Sequence, residues 1–167
     1  NLFQEFDKKN ISQLCFHSTK PNVEICKSVF QLTDLDILKS ILTRRNYGKI
    51  INEIKSDTPA SESYKVGKNK TANKLFARDI MWQLGKWKSK DLLTWLDDYK
   101  PEVIFFAAGY SMFSIDIALY ISKKYNIPLV TYFCDDYYDF KYSSSKYSII
   151  SDIRLKLFRK KIKEIVY

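Results

Sequence analysis

Hydrophobic and polar positions along this chain follow two periods. Between Ile11 and Ser18 they alternate, with Ile11, Leu14 and Phe16 as anchors, which predicts a strand. Ser28–Leu32 (SVFQL) predicts a second short one. From Asp34 to Arg45 the period lengthens. Leu35, Leu38, Ile41 and Leu42 stand at helical spacing, behind Thr33 or Asp34 as N-cap. Residues 55–71 are rich in Pro, Gly, Ser and Lys and show no period, so a long flexible loop is expected there. Two helices follow, roughly Ala72–Lys86 and Ser89–Tyr99. The first sets Phe76, Ile80, Leu84 and Trp87 on one face; the second sets Leu92, Trp95, Leu96 and Tyr99.

The run from Pro101 to Gly109 is apolar without alternation, the pattern of a strand covered on both faces in a parallel sheet. Ser111–Asn126 is an amphipathic helix, with Asn126 as a left-handed cap and Pro128 close behind. Pro128–Cys134 is another apolar strand. Strand, helix and strand in this order predict a right-handed parallel crossover. A last helix, about Ser148–Ile165, sets Ile150, Ile153 and Leu157 toward the core and Arg154, Lys156, Arg159, Lys160, Lys161 and Lys163 on the opposite face. The fold class expected is α/β, a Rossmann-like parallel sheet flanked by helices in a single domain spanning 1–167. The chain opens without Met on what reads as a helix tail and closes on what reads as a strand beginning, so a piece of a longer protein is expected.

Composition narrows the function classes. With 46% hydrophobic residues in 167, the chain can build a core and is not a disordered segment. Its net charge of +9 suits anionic partners: nucleic acid, an acidic membrane surface, or phosphorylated substrates. Trp82, Trp87 and Trp95 interleave with basic residues, but aromatics at helical spacing belong to a core more often than to a nucleic-acid stacking surface. Cys15, Cys26 and Cys134 show no metal spacing and are odd in number, which points to a reducing compartment. No apolar run reaches the length of about 20 residues that a spanning helix needs.

Chemistry concentrates at strand ends, where open α/β sheets bind ligands. Gly109-Tyr110-Ser111 lies between a strand and a helix start. There a glycine admits close approach, and unpaired amides favour phosphate or sugar hydroxyls. The next strand ends in Asp135, Asp136 and, shortly after, Asp139. These carboxylates emerge where the sheet stops; they can contact a ligand hydroxyl or cap the following turn. Their D-D-x-x-D spacing matches prenyl diphosphate synthases, but there it sits on a helix, whereas a strand precedes it here. His17, the only histidine, ends the first strand and offers one polar contact. Neither a G-x-G-x-x-G nor a G-x-x-x-x-G-K sequence is present.

Residues 95–140 resemble the amino-terminal half of family 4 retaining glycosyltransferases of the two-domain GT-B type. The shared frame is Tyr99-Lys100-Pro101-Glu102-Val103, the loop Gly109-Tyr110-Ser111, a helix of small and apolar residues, then Ile127 to Asp135. The resemblance implies a cytoplasmic bacterial enzyme that extends a capsule, cell-wall or exopolysaccharide chain. It implies a nucleotide-sugar donor as co-substrate, a glycan or lipid-linked acceptor, retention, and neither cofactor nor metal. On their places at strand ends, substrate contacts are expected at Gly109, Tyr110, Ser111, Asp135, Asp136 and His17; no catalytic residue is assigned. Cys134 stands where the family carries a His, so that side-chain role is not transferred. The family's first strand, its glycine-rich turn and its donor-binding domain have no counterpart in these residues. A lipid-linked acceptor would suit a peripheral position on an anionic membrane, with the basic last helix as contact. The alternative is a non-catalytic basic module that binds nucleic acid or a protein partner.

Overall fold

The computed structural model describes residues 3, 5–18, 21, 23, 25–52, 71–133 and 149–166. Almost all of the expected loop 55–71 lies outside them, as do Cys134, Asp135, Asp136 and Asp139. The described residues form an α/β structure of five α-helices and two small sheets. The chain divides into two compact units, one of residues Asn1–Asn69 and Leu84–Lys100, the other of Lys70–Gln83 and Pro101–Tyr167.

In the first unit β1 (Ser12–Cys15) pairs parallel with β2 (Ser28–Gln31), and β3 (Lys49–Ile51) adds antiparallel to β2. The sequence pattern predicts β1 and β2 but not β3, whose three residues are too few to show a period. Gly48 sets up β3: its φ is 116°, and a Cβ there would lie 2.7 Å from the buried Phe30 ring. Helix α1 (Asp34–Thr43) starts on a capping box. Thr33 Oγ1 accepts from the Asp36 amide at 3.3 Å, and the Asp36 carboxylate accepts from the Thr33 amide at 2.9 Å.

The buried side of α1 is Ile37 and Ser40, while Leu35, Leu38 and Leu42 are exposed, opposite to the expected face. Ser40 explains the rotation: its hydroxyl donates to the Ile37 carbonyl at 2.7 Å and accepts from the Lys86 amide at 3.0 Å. A small residue with satisfied hydrogen bonds can be buried where apolarity alone would not place it. Helix α3 (Lys90–Tyr99) starts at Ser89 and buries Leu92, Trp95 and Leu96, as its spacing predicts. Trp95 Nε1 donates to Ser28 Oγ at 2.9 Å, and its ring lies 5.6 Å from that of Phe30.

In the second unit β4 (Ile104–Ala108), α4 (Met112–Tyr125) and β5 (Leu129–Phe133) follow in the expected order, with β4 and β5 parallel in register from Ile104–Leu129 to Ala108–Phe133. Asn126, left-handed at φ 52°, ends α4. Among the described residues only one face of these strands is covered. Phe106 and Phe133 pack against a core of Met112, Ile115, Phe158 and Ile162, whereas Phe105, Val130 and Tyr132 are exposed on the other face. A continuous apolar run does not by itself distinguish one covered face from two, because an exposed strand face can also be apolar.

Two helices of this unit turn a different side inward from the one expected. On α2 (Ala72–Leu84) the buried residues are Asp79 and Trp82, and Ile80 and Leu84 are exposed. Trp82 stacks on Phe113 with ring centres 4.0 Å apart. On α5 (Ile149–Val166) the buried stripe is Ser151, Arg154, Phe158 and Ile162, while Ile150, Ile153 and Leu157 face outward. The reason is the same in both. A charge on the stripe directs it outward only while unpaired, and Asp79 and Arg154 pair with each other. Lys161, also expected on the outer face, reaches Asp116 of α4 at 2.8 Å and Glu164 at 2.9 Å. Partial burial pulls its ammonium down, but the two carboxylates outweigh it and hold the group above its usual range. Among the described residues no helix is long and apolar enough to cross a membrane.

Candidate functional site at the carboxyl end of β4

Strand β4 stops at Ala108, and Gly109-Tyr110-Ser111 carries the chain into α4. Three of the residues expected to contact substrate therefore sit on one turn. Among the described residues a Cβ built on Gly109 meets nothing within 4 Å, and its φ is not in the left-handed region. Neither backbone strain nor packing against the described residues requires a glycine there, and among them the space beside its Cα is open.

Tyr110 is held from behind. Its ring lies 4.7 Å from Phe158 and 4.3 Å from the Arg154 guanidinium, and its carbonyl accepts from Arg154 Nη2 at 2.7 Å. Ser111 occupies the N-cap position of α4 without a side-chain cap bond. Its Oγ is within 3.4 Å of Arg78 Nη1, and the Arg78 guanidinium lies 4.7 Å above the Phe113 ring.

The start of α4 is capped from a distance. Asp79 Oδ1 accepts from the Met112 amide at 3.1 Å, and Oδ2 accepts from Arg154 Nε at 3.0 Å and Nη2 at 2.9 Å. The two side chains are 3% and 0% exposed. A carboxylate at a helix N-terminus is favoured by the helix dipole, and the guanidinium completes its charge. Burial pushes the Asp79 carboxyl above the usual carboxylate range, against the opposing pull of Arg154 and the Met112 and Phe113 amides. One consequence bears on ligand chemistry. The Met112 amide, expected to be available to a phosphate or hydroxyl, is already bound by Asp79; the Ser111 hydroxyl, which accepts from Arg78, lies beside it.

No family model, curated protein or solved structure matches this chain. Its site is therefore read from its own residues.

His17 lies in the first unit, after β1. Its side chain is exposed, and its carbonyl accepts from Gln31 Nε2 at 2.7 Å. Asp135 and Asp136 lie outside the described residues. Among the described residues no three His, Cys, Asp or Glu side chains converge as metal ligands would.

Asp79 and Arg154 are the residues that sequence reasoning missed. The signal was present: each is a charge inside an otherwise buried helical stripe, Asp79 between Phe76 and Trp82 and Arg154 between Ser151 and Phe158. Opposite charges on two such stripes are candidates for a buried pair.

Proposed function

We propose that this chain is the acceptor-binding half of a GT-B glycosyltransferase, built on a Rossmann-like frame. In this reading the turn Gly109–Ser111, with Asp135 and Asp136 beyond β5, holds a glycan acceptor, and a second domain holds the nucleotide sugar. One observation supports it above the others: a parallel crossover ends β4 in a glycine whose Cα side is open among the described residues, within the stretch that resembles family 4 enzymes. Parallel α/β units bind ligands beyond the carboxyl ends of their strands. A sugar ring needs hydroxyl partners and little room beside the backbone. Ser111 Oγ supplies an acceptor and donor, Arg78 a donor, and Gly109 the room. The Asp79–Arg154 pair keeps the turn rigid, so the acceptor hydroxyl meets a fixed surface when positive charge builds at the donor sugar carbon.

Two outcomes are expected. The chain by itself forms no product from nucleotide sugars in a radiochemical transfer assay. Gly109→Ala leaves unfolding stability unchanged or raised by less than about 1 kcal/mol, since alanine fits and restricts the unfolded chain. Yet it weakens glycan binding, measured by calorimetry, by roughly an order of magnitude because the methyl fills the open side. Product from the chain alone, or glycan binding indifferent to Gly109→Ala, contradicts the reading.

A further inference from the structure

Helix α5 carries two apolar stripes, and the second unit uses one. Phe158 and Ile162 enter the core with Met112 and Ile115. On the far side Ile150, Ile153 and Leu157 are 39%, 45% and 43% exposed, and Ile149 at the helix start is 80% exposed. Lys156, Lys160 and Lys163 are exposed along one flank of this stripe. At a rise of about 1.5 Å per residue the 18-residue helix is about 27 Å long, enough to present the whole pattern along one line.

We propose that the outer face of α5 docks on an anionic lipid bilayer. Aliphatic side chains next to a row of lysines fit the boundary between acyl chains and phosphates: the former enter the apolar edge, and the latter reach the headgroups. A second copy of the chain is a poorer occupant, because a two-fold contact would bring Lys156, Lys160 and Lys163 against themselves. A nucleic acid would use the lysines and leave the aliphatic stripe in water. The inner face of the same helix supplies Arg154 to the Tyr110 carbonyl. Docking by the outer face therefore leaves the β4 strand-end turn on the opposite side of α5, about one helix diameter, roughly 10 Å, from the surface. The docking does not depend on glycosyl transfer.

The test is co-sedimentation of the chain with vesicles of phosphatidylcholine alone and of phosphatidylcholine mixed with phosphatidylglycerol. Binding is expected to the mixed vesicles only, and to weaken as salt rises. Lys156→Gln, Lys160→Gln and Lys163→Gln together should lower affinity roughly a hundredfold, about fivefold for each lysine. Ile153→Ser with Leu157→Ser should lower it at least about tenfold. All these side chains are exposed, so circular dichroism should be unchanged. Equal recovery in the supernatant with both vesicle types overturns the proposal, as does binding that survives the lysine substitutions. Loss with the lysine changes but none with the serine changes, together with equally tight binding to RNA, would assign the face to nucleic acid instead.

Discussion

Replacing Arg154 with methionine should destabilise the protein by about 3–5 kcal/mol, a large share of what holds a domain of this size together. The substitution keeps the aliphatic volume and removes the guanidinium. Asp79 is then left charged in a site where it is 3% exposed, and the Tyr110 carbonyl loses its donor. Asp79→Asn removes the charge from the other side and should also destabilise. Together the two changes should cost less than the sum, by about 1–3 kcal/mol, because each single variant strands the other's partner. Urea unfolding followed by circular dichroism measures the cycle; additive costs would mean that the pair does not act as a unit.

The same pair makes a pH prediction. Asp79 titrates above its ordinary value of 3.8 in the folded protein. Below 3.8 it is protonated in both states and contributes no difference. As pH rises through the folded value, ionisation costs stability, because the folded state held the proton more tightly. Without Arg154 the opposing pull is gone and the folded value rises further. The stability gap between wild type and Arg154→Met should therefore be smallest in acid and widen toward neutrality. A gap that narrows as pH rises would contradict this assignment.

Trp82→Ala should cost a similar amount, about 3–5 kcal/mol. Trp82 is 0% exposed and stacks on Phe113, the second residue of α4. Its removal opens a cavity behind the helix that starts at the candidate site. Trp87, half-buried beside Lys88, is the internal control, and its replacement by alanine should cost less than about 1 kcal/mol. Guanidinium unfolding of the two variants separates them. Similar small losses at both positions would place Trp82 outside the core.

The parts of the fold that were legible in the sequence are those set by local chemistry. Thr33, Ser89 and Asn126 mark helix ends through hydrogen bonds or backbone preferences within a few residues, and each does so in the structure. The β4–α4–β5 crossover was legible because its strands and helix have distinct periods in a short span. The inward faces of α1, α2 and α5 were not. Each buries a polar residue, Ser40, Asp79 or Arg154, whose partner lies elsewhere in the chain: Lys86 for Ser40, and Asp79 and Arg154 for each other. Hydrophobic counting sends such residues outward because it cannot include a partner 46 or 75 positions away. The candidate site divides in the same way. Gly109-Tyr110-Ser111 is a local turn and reads directly as one, while the side chains that clamp it come from α2 and α5.

The most direct test of the central claim is an amide NMR titration of the chain with a panel of glycans, nucleotide sugars and RNA. Saturable shifts at Gly109, Tyr110 and Ser111 with a glycan, and weaker or no shifts there with nucleotide sugars, are what an acceptor-binding half requires. No response of these three amides to any glycan, with saturable shifts produced by RNA, would contradict it.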